Sequence, residues 1–75
     1  MANLADLTIR ELEILQLVLT GKTNKAIAGE VRISPRTVEF HLDNIYAKTG
    51  TQSRLMAGLW AIQHGIKAKP REITS

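Results

Sequence analysis

Four residues at three- and four-residue spacing carry the clearest chemistry in this chain: Arg36, Glu39, Phe40 and Asp43. That spacing puts them on one side of a helix. An arginine donates in pairs to guanine, carboxylates accept from the cytosine amino group, and an aromatic ring packs on thymine methyl groups. Phe40 is the only phenylalanine in 75 residues. Asn44, beside this face, has the amide that pairs with adenine. An alternative stays open at this point: Phe40 packs against another protein, or folds over its own surface.

A second set has the chemistry of phosphate binding. Thr23, Asn24 and Lys25 open one predicted helix, Arg36 and Thr37 a second, and Ser53 and Arg54 a third. Helix starts present free N–H groups and a partial positive charge, so a polar or cationic side chain there suits an anion. His41 and Lys48 lie on the flank of the middle helix. Nothing comparable points to catalysis. His41 and His64 are far apart, and there is no glycine-rich phosphate loop, metal-ligand cluster or nucleophile motif. Glu39 and Asp43 read as a solvated acidic pair. No catalytic residue, cofactor or metal is expected.

Four helices must position these groups. Thr8 and Glu11 have the spacing of a capping box. Leu12, Leu15 and Leu19, with Ile14 and Val18, then recur at helical period, which predicts a helix over about 9–20, stopped by Gly21. Thr23 caps a short helix of about 24–31 bearing Ile27, Ala28 and Val31. Arg32 and Ile33 make a tight connection. Ser34 followed by Pro35 starts a long helix, because proline at the first helical position loses no needed N–H. Val38, Leu42, Ile45 and Thr49 line its core face, with Tyr46 at the margin and Gly50 at the end. Turning each residue by 100° sets Arg36, Phe40, Asp43 and Ala47 opposite that stripe. Ser53 caps the last helix, about 54–64, ended by Gly65.

The class is therefore all-α, a compact four-helix domain over 1–66, followed by a polar tail, 67–75, expected to fray. The short link between the second and third helices is that of a helix-turn-helix, whose second helix enters the DNA major groove. A chain this size buries only about 60% of the surface it exposes when unfolded. With no cysteine, neither a disulfide framework nor a thiolate zinc site supports it. No apolar run approaches the roughly 18 residues of a membrane span. The N-terminus is not built like a signal peptide, so the cytoplasm is the expected location.

Ten basic residues face seven acidic ones, net +3. The excess sits in the middle and the tail, which favours a polyanionic partner. The third helix itself is neutral, with Arg36 and Lys48 against Glu39 and Asp43. Affinity for DNA must then come from groups outside its reading face.

The run from Leu7 to Ile66 resembles the LuxR/GerE-type helix-turn-helix family of bacterial transcription regulators. The resemblance rests on Leu7-Thr8, Arg10-Glu11, Gly21 to Lys25, Ile27-Ala28, Ile33-Ser34, Thr37-Val38-Glu39, His41-Leu42, Asn44-Ile45-Tyr46, Lys48, Gly50 and Ser53-Arg54, in register without a gap. It implies a domain that ends response regulators and quorum-sensing receptors and sometimes stands alone. It also implies base reading by Glu39, Phe40 and Asp43, and phosphate contacts by Lys25, Thr37, Asn44, Lys48, Ser53 and Arg54. Phe40, Asp43, Ala26, Thr49 and Met56 depart from the family's usual residues, so no base preference transfers.

The resemblance further implies dimerisation through the fourth helix, which is apolar around almost its whole circumference. Met56, Leu59 and Trp60 are the expected contacts; the alternative is a Trp60 that completes a monomer core. The expected partners are double-stranded DNA, a second copy of the chain, and RNA polymerase or another regulator, at the nucleoid and not at a membrane. The rival function is a protein-interaction module on the same fold, with Phe40 as its anchor. The chain reads equally as a complete protein or as an excised domain.

Overall fold

A computed structural model of the chain describes residues 5–68. Its elements are α1 (Ile9–Val18), α2 (Asn24–Val31), α3 (Pro35–Thr49) and α4 (Arg54–Gln63), with no strand among the described residues. The expected tail falls mostly outside them.

Each start follows from a local cap. Thr8 Oγ1 accepts from the Glu11 amide at 3.0 Å, and Glu11 Oε1 accepts from the Thr8 amide at 3.0 Å, completing the capping box. Thr23, Ser34 and Ser53 accept in the same way from Ala26, Thr37 and Met56. Pro35 occupies the first turn of α3. Two ends come earlier than the periodicity predicts. After Val18 the chain tightens, with Thr20 and Gly21 amides donating to Leu17 and Val18 carbonyls, so Leu19 and Thr20 form a turn before Gly21 turns left-handed at φ +83°. In α4, His64 leaves helical geometry and Gly65 takes φ +78°, while the Ile66 amide closes on the Ala61 carbonyl at 2.9 Å. The α2–α3 turn uses a costlier device: Arg32, not a glycine, sits left-handed at φ +62°.

The core draws on all four helices. Ile14, Leu15 and Leu17 of α1, Ile27 of α2, Val38 and Ile45 of α3, and Ala57 and Ala61 of α4 are fully buried. Leu17 was outside the expected α1 stripe, whereas Leu12 and Leu19 within it are only partly buried. α3 packs against the other three helices. Its buried side, Val38, Leu42 and Ile45, fixes by helical geometry which side faces out.

Two polar ties join helices distant in sequence. Lys48 Nζ, in the last turn of α3, donates to Glu11 Oε1 in the first turn of α1 at 2.6 Å and to the Asp6 carbonyl at 3.2 Å. Arg10 Nη1 donates to the Val31 carbonyl at the end of α2 at 3.2 Å. Glu11 is the one buried charged residue in the described core, 3% exposed. Burial pushes its carboxyl up, but the Lys48 hydrogen bond, the Thr8 amide and the Lys48 charge pull harder and leave it below the usual carboxylate range.

Candidate nucleic-acid interface

The outward face of α3 carries Arg36, Glu39, Phe40, Asp43 and Ala47, all exposed. Phe40 is 61% exposed at the centre of this face, while Val38 and Ile45 on the other side are at 0%. At 15 residues α3 is about 22 Å long. His41 lies half-buried on the flank. Its ring meets Phe40 edge-on, centroids 5.9 Å apart, and its buried Nδ1 has no hydrogen-bond partner among the described residues. His41 thus packs beside the phenylalanine and helps set the direction of its ring.

The expected phosphate-side residues divide by what already holds them. Lys25 is exposed and makes no ion pair or hydrogen bond among the described residues. The Thr37 hydroxyl pairs with Ser34 Oγ at 2.9 Å, and Asn44 is half-buried beside the reading face. Ser53 is spent in part on its own helix, as cap of α4. Arg54 Nη1 donates to Asn24 Oδ1 at 2.6 Å and Nη2 to the Lys22 carbonyl, which ties the starts of α4 and α2 together. Both acceptors are neutral, and the guanidinium makes no ion pair among the described residues. Lys48 is held differently, because its partner Glu11 is an anion. Lys22 pairs with Glu30 at 3.6 Å. Asn24 and Lys22 as anchors for Arg54 were not foreseen. Tertiary packing across about thirty residues creates that contact, and no local pattern announces it.

Tyr46 packs against the core at the margin of α3. Burial raises its phenol above the ordinary value; the nearby Arg54 charge opposes this and Asp43 adds to it.

On α4 the buried side is Ala57 and Ala61. Leu55, Met56, Leu59 and Ile62 are exposed at 72, 51, 46 and 62%. Met56 and Leu59 therefore lie on an uncovered apolar surface. Trp60 does not share it fully: it is half-buried against the core and stacked on His64, centroids 4.1 Å apart. Leu55 and Ile62 join the surface instead. An open groove of about 400 Å³ runs between Leu19 at the end of α1 and Leu55, Gly58, Leu59 and Ile62. Among the described residues no three His, Asp or Glu side chains group to hold a metal, and no helix is long and apolar enough to cross a membrane.

Comparison with known proteins gives a consistent result. Residues 5–61 match the family described as GerE, bacterial regulatory proteins, luxR family. The chain is 43% identical over 61 residues to response regulator Rre1 of Synechocystis sp., which covers 81% of this chain and 26% of that protein. It is 42% identical over 60 residues to response regulator protein VraR of Staphylococcus aureus, covering 80% and 29%. The chain thus spans less than a third of these relatives. Among solved structures, one titled as that of the transcription factor GerE superposes with a TM-score of 0.77 at 35% identity, covering 88% of this chain and 96% of that one.

Proposed function

The chain belongs to the LuxR/GerE family of DNA-binding bacterial regulators, and from that premise we propose that α3 reads the DNA major groove with Arg36, Glu39, Phe40 and Asp43. The observation that carries this is Phe40, a large apolar ring left in water at the centre of a face rimmed by Arg36, Glu39 and Asp43. A helix fits the groove, and this mixture of donors, acceptors and ring can discriminate base edges. Since α3 has no net charge, the binding strength comes from groups outside its reading face: Lys25, Thr37, Asn44, Ser53 and Arg54 on phosphates, with the amides of the α2, α3 and α4 starts. Arg54 suits this role because neutral groups hold it and leave its charge available.

In the same reading the domain, 1–66, acts as a dimer. The uncovered surface of Met56, Leu59, Leu55 and Ile62 supports this, since a contiguous apolar face of this kind marks an association site. Trp60 contributes from beneath rather than as the tip of the contact. Two copies would set their α3 helices at half-sites one helical turn apart. The whole protein is read as a response regulator at the nucleoid, acting with RNA polymerase or another regulator.

The test is duplex binding followed by fluorescence anisotropy across salt concentrations. Each phosphate neutralised should steepen the slope of log affinity against log salt by about 0.9. Steep loss between about 50 and 200 mM salt is expected. Absence of binding at the low end would overturn the DNA reading in favour of a protein-interaction module.

A further inference from the structure

We propose that Lys48 is a positioning residue of the interface: it locks the end of α3 to α1 through Glu11 and neutralises no phosphate. The inference rests on the DNA-binding reading above and departs from the role that the family resemblance implies for this lysine.

Three observations carry it. Lys48 Nζ sits 2.6 Å from Glu11 Oε1, a charge-assisted contact, and 3.2 Å from the Asp6 carbonyl. The carboxylate is buried while the lysine keeps about a third of its side chain in solvent, so the lysine cannot leave without stranding an anion in the core. The pair also joins opposite poles: Glu11 lies in the first turn of α1 and Lys48 in the last turn of α3, where each charge complements its own helix dipole. The ammonium is thus compensated from inside. Lys25 and Arg36 have no such partner among the described residues, and Arg54 has only neutral ones.

The consequence for recognition is mechanical. Phe40 lies eight residues before Lys48, about 12 Å along the helix. Loosening the far end of α3 would let the reading face tilt in the groove. Phosphate contacts elsewhere set the charge count, and the Glu11–Lys48 pair sets the angle at which α3 is presented.

The salt slope separates positioning from phosphate contact. A mixed-sequence 30-base-pair duplex is titrated with the full chain and with the charge-balanced double variant Glu11→Gln/Lys48→Met. If Lys48 only positions α3, the double variant binds several-fold more weakly at every salt concentration with an unchanged slope. If Lys48 meets a phosphate, the slope falls by about 0.9 per protomer, as it should for Lys25→Met, and the proposal is overturned. Should the double variant fail to fold, Glu11→Gln alone decides. Freeing the lysine should weaken binding at constant slope if it positions. Binding that is unchanged or tighter would mean the pair does not set the presentation of α3, against the proposal. If the unmodified chain does not bind the duplex, the DNA reading itself fails, and this one with it. That result is read from a different arm than the variants.

Discussion

Replacing Glu11 by glutamine should be among the more costly polar changes in this domain, and its cost should depend on pH. The amide oxygen of the new side chain can still accept from the Thr8 amide, so the capping box survives. What is lost is the negative charge opposite Lys48: the 2.6 Å contact to a carboxylate 3% exposed becomes one to a neutral amide oxygen. Hydrogen bonds to charged groups are worth about 1.5–3 kcal/mol. In a domain of 60–100 residues each kcal/mol moves the melting temperature by about 4–8 °C, so a fall of about 6–24 °C is expected near pH 7. The sign of the pH effect follows from the lowered carboxyl. A group whose folded pKa is depressed stabilises the fold above its unfolded pKa, about 4.3 for Glu, and loses that contribution as pH falls through the folded value. The gap between parent and variant should therefore be level from about pH 6 to 8 and close below about pH 4. Circular dichroism melts over a pH series measure it directly. A gap under about 2 °C at pH 7, or one that persists undiminished at pH 3, would refute this account of the pair.

Other substitutions probe the remaining parts. Phe40→Ala should leave the melt unchanged and reduce the preference for a selected site over mixed-sequence duplex by about tenfold, within the 1–3 kcal/mol of a good base contact; competition binding measures it, and equal loss on both duplexes would argue against base reading. Leu59→Glu should keep the fold and abolish self-association on DNA in sedimentation, whereas Trp60→Glu should also lower the melting temperature because Trp60 packs against the core. Arg32→Gly should stabilise the fold by about 0.5–1 kcal/mol, the left-handed cost of about 1–2 relieved less the extra freedom glycine has when unfolded, read from urea midpoints.

What was legible in the sequence was local. Thr8, Thr23, Ser34 and Ser53 cap residues three positions on, so each helix start was visible in four consecutive letters. The two faces of α3 were visible because helical rotation alone places Phe40 opposite Val38 and Ile45. The ends of α1 and α4 were less so. Whether the last turn stays helical or tightens depends on competing carbonyl acceptors of similar energy, as at Leu17 and Val18. Contacts between distant residues were not legible. Glu11 with Lys48 and Arg54 with Asn24 are separated by 37 and 30 positions, and a lysine or arginine looks the same in sequence whether an acid, a carbonyl or solvent meets it. The division of α4 was hidden for a related reason. Its circumference is apolar nearly throughout, so periodicity could not say that Ala57 and Ala61 turn inward while Leu55 and Ile62 stay exposed.

The central claim is that α3 reads a DNA sequence. Selection of bound duplexes from a random library at about 100 mM salt, using the 75-residue chain, tests it most directly. The account predicts an enriched motif of two half-sites about 10 base pairs apart, set by the two-fold symmetry of a dimer. No enrichment, together with no binding at lower salt, would contradict it.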